Sequence, residues 1–191
     1  TTMLQVVIGA VVLCVAGAVW GATVVVDFGA GGQLTYTGTY DGSPGPATAV
    51  TGGAGYNASG SSFGLGSGLT LTFDTAWGTW NPNDGSDPSN DQALIGSILY
   101  SAGGFGVPST VQFTVSGFNA SDHVTFDFVG SSQWGGTVNV ASHGDVLIPQ
   151  GQIGGSFTTG ASSLTGSTSY SMDLTPGSNP GEGDLGGMRI T

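Results

Sequence analysis

Positive charge is almost absent from this 191-residue chain: it has no Lys, one Arg (Arg189) and two His, against eleven Asp and one Glu. The formal net charge is −11. That balance argues against a nucleic-acid partner, since nothing is available to neutralise phosphates, and it disfavours anionic membrane surfaces for the same reason. Cysteine is nearly absent too. Cys14 stands alone, so an intramolecular disulfide and a two-Cys metal site are both excluded, and the residue reads as a small buried apolar side chain.

Catalytic motifs are also missing. There is no nucleophile elbow, no phosphate loop and no His-Glu-x-x-His. Glycoside hydrolysis needs two carboxyl groups held at a fixed separation. Glu182 is the only Glu and falls in a Gly/Pro-rich stretch expected to be a loop, while Asp127 is expected on a strand facing solvent, and nothing pairs them. His123 and His143 each lie near a turn and an acid; a two-His metal site competes with the ordinary surface-turn histidine. No enzyme is expected.

What the chain has in quantity is glycine, 37 residues of it, with Ser, Thr and Asn. So much Gly and Ser suits a disordered chain, but 38 % hydrophobic content in regular alternation argues for a folded one. The most concentrated apolar stretch is residues 3–20, MLQVVIGAVVLCVAGAVW, in which Gln5 is the only clearly polar side chain. Wound as an α-helix, these residues span about 27 Å, the hydrocarbon thickness of a bilayer. A secretory signal peptide with a small-residue site near residues 19–22, a retained membrane anchor and a filament-core helix are the competing readings. The Val-rich part also suits a strand donated to a neighbour. A start at Thr1 instead of Met suggests a cleaved leader and hence a retained helix over residues 1–22. On that reading Met3, Leu4, Val7, Ile8, Val11, Val12, Val15 and Val19 are the assembly positions.

Beyond residue 22 about 170 residues remain, enough for one domain with its own core. Short alternating runs predict strands at residues 23–28, 34–40, 69–73, 94–100, 110–115 and 124–129, with further candidates at 136–140, 146–148, 156–159, 167–174 and 188–190. Residues 52–68 read as a long Gly/Ser loop, and residues 77–91, WGTWNPNDGSDPSND, as a polar surface excursion. Ten or eleven short strands with no long helical period predict a mainly β fold, an antiparallel β-sandwich of jelly-roll type, over residues 23–191.

Three sets of residues carry candidate binding chemistry. Asp84, Asp87 and Asp91, among Asn81, Asn83 and Asn90, offer the oxygen ligands of a partial Ca²⁺ cradle, with a solvated Asx-turn loop as the plain alternative. Calcium is thus a possible cofactor and no other is implied. Trp77, Trp80 and Trp134 suit either an aromatic platform for carbohydrate or core and rim positions. Asn57 and Asn119 each begin an Asn-Ala-Ser acceptor triplet for N-glycosylation in an expected loop.

Two resemblances rest on these stretches. The apolar N-terminus with a polar residue at position 5 resembles type IV pilins, although Thr1 and Gln5 stand where the bacterial pattern has an aromatic residue and Glu. It implies transient membrane residence followed by self-assembly into a homopolymer. VVVDFG (24–29), TVQFTVSGFNASDHVTFDFVG (110–130) and GDLGGMRIT (183–191) together resemble secreted surface proteins of the PEP-CTERM group, without the Pro-Glu-Pro tail. That resemblance implies a jelly-roll body at the cell surface or in an extracellular matrix.

Overall fold

The computed structural model describes residues 21–30, 36–52, 55–80, 90–96, 98–102, 107–141, 143–177 and 181–191. The apolar run at 3–20, with its helix and all eight assembly positions, lies outside the described residues, as do Asp84 and Asp87. Among the described residues the protein is mainly β. The strands are β1 (Val24–Ala30), β2 (Thr48–Gly52), β3 (Gly55–Asn57), β4 (Ser62–Gly66), β5 (Leu69–Phe73), β6 (Trp77–Trp80), β7 (Ile98–Ala102) and β8 (Val111–Ser116). They continue as β9 (Val124–Val129), β10 (Gly136–Val140), β11 (Gly144–Ile148), β12 (Thr158–Leu164), β13 (Ser169–Pro176), β14 (Glu182–Leu185) and β15 (Gly187–Ile190). One 3₁₀ turn (Tyr40–Gly42) and one short helix, α1 (Asn90–Ile95), interrupt them.

Three sheets result, ordered β12-β9-β15-β1-β2, β11-β10-β13-β8-β5-β4 and β14-β7-β6-β3. Every pairing is antiparallel except β1 with β2. The five- and six-stranded sheets face each other as a β-sandwich-like pair. Phe28 of β1 meets Phe113 of β8 at 6.2 Å between ring centroids, and Phe126 of β9 meets Tyr170 of β13 at 5.7 Å. The four-stranded sheet joins this core through Trp77, which stacks on Phe73 at 4.0 Å and 4°. Its edge strand β14 runs through Gly186 into β15, so one stretch of chain serves two sheets.

The alternating stretches became strands where alternation matched one buried face. In β5 (LTLTF) the leucines and Phe73 are buried while Thr70 and Thr72 are half-buried. β1 differs because both its faces are covered. Val24, Val26 and Phe28 enter the main core, and Val25 joins a second apolar cluster with Tyr36, Tyr40, Leu94, Ile95, Val129 and Phe157 on the outer face. A run of consecutive valines is what a strand buried on both sides requires.

Several sequence expectations need correction. A strand over residues 34–40 is not formed: residues 36–39 carry no strand, and Tyr40 opens the 3₁₀ turn. Tyr36 and Tyr40 are instead both buried in the outer cluster, where the Tyr36 amide donates to Asp27 Oδ2 at 3.0 Å. Residues 52–68 hold β3 and β4 instead of one long loop, and the 77–91 excursion begins with β6 and ends in α1. Gly117, between β8 and β9, has φ +106°, and a Cβ there would stand 2.3 Å from the Gly68 carbonyl oxygen. Only glycine fits that close approach.

Candidate functional site

The one Arg of the chain sits in a cluster of polar groups. Arg189 lies on β15 directly across from Asp127 on β9. Its Nε and Nη2 both donate to Asp127 Oδ2, at 2.9 and 2.7 Å, and its Nη1 donates to Asp41 Oδ1 at 3.0 Å and to Ser43 Oγ at 2.6 Å. The guanidinium carbon stands 4.9 Å from the Phe157 ring centroid, a cation–π distance. Asp41 is held in turn by the Ser43 hydroxyl and the Phe157 amide, which donates to Oδ2. It adopts a positive φ of 49°, a conformation that Asp tolerates better than most residues. Three segments distant in sequence, at residues 41–43, 127 and 157, are thereby tied to one side chain.

Asp127 does not face solvent as its place in an alternating strand suggested; it is 3 % exposed. The outer face of β9 is covered by the residues around Asp41 and Phe157, so the carboxylate pairs with the one cation available to it. Its second oxygen, Oδ1, is buried without a hydrogen-bond partner. Asp127 and Arg189 line a cavity of about 200 Å³ with Thr23, Asp41, Ser43 and Thr191.

A second polar centre lies on β14. Glu182 is on this strand, not in the loop expected for it, and alternation puts it on the same face as Asp184. Asp184 is fully buried, and its Oδ2 accepts from Ser131 Oγ at 2.7 Å. Ser131 Oγ also accepts from the Gln133 and Trp134 amides and lies 3.1 Å from the Trp134 carbonyl, so its one proton is shared between two acceptors. Asp184 Oδ1 has no partner. Burial pushes the Asp184 carboxyl up to about 7, with the Ser131 hydrogen bond opposing the rise and the Glu182 charge adding to it. Burial also raises Glu182, and burial followed by the Glu182 charge raises Tyr100, which sits opposite Asp184 on β7.

The sequence candidates scatter. Asp91 falls in α1, and Asp84 and Asp87 lie outside the described residues. No group of three or more His, Cys, Asp or Glu gathers as a metal site among the described residues. His123 and His143 are exposed in separate turns. Trp77 is a core residue, 1 % exposed, so a three-Trp surface platform is not formed; Trp80 and Trp134 are about half exposed. Asn119 is exposed in the β8–β9 turn, where its amide Nδ2 lies 3.3 Å from Asp122 Oδ2. Asn57 ends β3, half-buried against Gly52.

Neither polar centre was anticipated. The signal for the first was a single cation in a chain of twelve acids, and for the second the alternation of Glu182 and Asp184 in GEGDL. Comparison with known protein families, with curated proteins and with solved structures finds no match.

Proposed function

We propose that the chain is an extracellular structural protein, the repeating subunit of a pilus-like surface filament. Its body is read as a jelly-roll sandwich and its apolar N-terminal segment as the α-helix through which copies assemble. The observation that carries this reading is the eighteen-residue apolar run placed just before β1. β1 has a hydrogen-bonded neighbour on each edge, β15 and β2, so the run leads into a strand whose pairing is already complete. Burying some 18 apolar side chains among equivalent segments, at about 1–2 kcal/mol each, supplies contacts that outlast monomer exchange. Head-to-tail contacts of this kind propagate instead of closing.

Before assembly the segment resides in the membrane, and afterwards it is a dry core sheathed by the sandwich. Among the described residues no helix is long and apolar enough to cross a membrane; the proposed helix lies outside them. Asn119, exposed in a turn, is the better placed of the two glycan acceptors. The test is removal of residues 1–22, followed by sedimentation and electron microscopy. The expected outcome is polymer from the full chain and a folded, non-polymerising body from the shortened one. Polymer from the shortened body overturns the mechanism.

A second reading, a secreted surface or matrix module that binds carbohydrate with residues 1–22 as signal peptide, is favoured by one observation: Trp80 and Trp134 expose 47 % and 46 % of their surface. Indole faces left in water are suited to stacking on sugar rings. This reading predicts quenching of Trp emission by saccharides.

A further inference from the structure

We propose that the free edge of β11 is an interaction surface for a second copy of this chain, the two β11 strands pairing antiparallel about a two-fold axis at Leu147. The inference concerns the β body and is independent of both readings above. The three sheets end on β12 and β2, on β11 and β4, and on β14 and β3. An edge strand presents unpaired amides and carbonyls, and natural sheets blunt such edges with bulges, short strands or covering segments. β12 has two register shifts and a positive φ at Ser163, and β4 has a register shift between Gly64 and Gly66. β3 is three residues long. β14 has four residues and lies against the β9–β10 turn, where the Asp184 amide donates to the Gly135 carbonyl at 3.1 Å. β2 is tied to β4 by Thr48 Oγ1, which donates to the Leu65 carbonyl at 3.1 Å.

β11 has none of these devices. Gly144–Ile148 pair with β10 over five positions without a register shift. Gly144, Asp145 and Leu147 are exposed, and Leu147, at 64 %, is the most exposed large apolar side chain among the described residues. β12 comes near, but no hydrogen bond joins the two among the described residues. The one charge on the strand, Asp145, accepts from Asn139 Nδ2 at 2.6 Å, a bond within its own sheet. An uninterrupted edge that carries an exposed apolar residue is open to a further strand.

The residues of the edge select a copy of themselves as that strand. With the axis at Leu147, Leu147 meets its twin, Val146 meets Ile148 and Asp145 meets Pro149. The exposed leucines then cover each other on the outer face of the joined sheet, while Val146 and Ile148 stay on the core side. Charge fixes the same register. Each copy carries −11, and here the two Asp145 carboxylates stand four positions apart, about 14 Å along the strands and beyond a physiological screening length. Moving the axis to Val146 halves that separation, and moving it to Asp145 sets two like charges face to face. A cationic partner finds little to hold, since the only acid of the strand is already bonded to Asn139. The contact is isologous and closes on two copies; its size puts it in the weak, transient class. In a filament it would join neighbours side by side without lengthening either.

The test is oxidative cross-linking of the full chain in a Cys14→Ser background, with one new thiol at a time. Leu147→Cys puts each thiol opposite its twin, within reach of a disulfide, and should run mostly as a covalent dimer on a non-reducing gel. Asp145→Cys, on the same face two residues away, should stay mostly monomeric, as should Ser62→Cys on the edge strand β4. Leu147→Lys, at an exposed site, should keep the thermal midpoint and lose the pairing of the unsubstituted chain. That pairing is read as dimers by sedimentation or as side-by-side filaments by electron microscopy. Equal dimer yields from the three thiols, or a higher yield from Asp145→Cys, overturn the interface. So does pairing that survives Leu147→Lys, or a Leu147→Cys chain that stays monomeric at up to about 1 mM.

Discussion

Asp184 should make this protein more stable in acid than in alkali, the reverse of the behaviour of a salt-bridged carboxylate. The folded state holds the proton because burial penalises the charged form, raising the midpoint from the ordinary 3.8 to about 7. Below pH 3.8 both folded and unfolded chains are protonated, and the stability is complete. Between pH 3.8 and 7 the unfolded chain ionises while the folded one does not, so stability falls as pH rises. Above about pH 7 the loss is complete, at about 4 kcal/mol. Most of it, roughly 3 kcal/mol, falls between pH 5 and pH 8. Asp184→Asn keeps the size of the side chain and cannot ionise, and its amide still reaches Ser131. Urea unfolding at pH 5 and pH 8 should show the wild type losing stability across that interval and the variant losing far less. The variant should then be the more stable of the two at pH 8. Glu182, also raised by burial, leaves a smaller residual slope of the same sign. A wild type that gains stability from pH 5 to pH 8, or a variant with the wild-type slope, refutes the reasoning.

Two further perturbations test the fold. Arg189→Met should cost about 3–5 kcal/mol in urea unfolding, because it strands Asp127 and removes the tie to Asp41 and Ser43. Arg189→Lys, unable to bridge both carboxylates with a planar fork, should recover only part of that. Gly117→Ala should cost about 1–3 kcal/mol, since its φ of +106° and the Gly68 carbonyl oxygen 2.3 Å from the new Cβ both oppose a side chain; a thermal midpoint equal to the wild type would contradict the observed backbone.

The strands at residues 69–73 and 110–115 were legible because each has one face turned to the core, and a two-residue period records that directly; residues 124–129 alternate in type as well, although both faces of that strand are buried. Residues 34–40 alternate just as cleanly, yet residues 36–39 form no strand. Alternation states which residues share a side if the chain is extended, and it cannot state that the chain is extended. The edge of β1 that such a strand would have used is taken by β2, paired in parallel, and parallel pairing across sequence leaves no local signal. Asp127 was misplaced for a related reason. An acid on a strand face reads as solvent-facing unless a second layer covers it, and that layer comes from residues around 36–47 and 157. Trp77 and Trp80 are three residues apart on β6, so alternation alone sends their rings to opposite faces; which face is covered depends on the layer that supplies Phe73, and that puts Trp77 in the core and leaves Trp80 in water.

The position of Arg189 bears on how copies of this protein meet. With twelve acids and one cation already bound to two of them, the body has no further guanidinium or ammonium with which to pair a neighbour's carboxylate. Copies at net charge −11 repel one another, and ionic strength shortens the reach of that repulsion to about 8 Å under physiological conditions. On the proposed filament reading, cohesion must come from apolar contact, and added salt should strengthen it by screening the bodies. Assembly by ion pairs would weaken instead. The extent of polymer pelleted from equal protein at low and high sodium chloride therefore separates the two: more polymer at high salt supports an apolar core, and less refutes it.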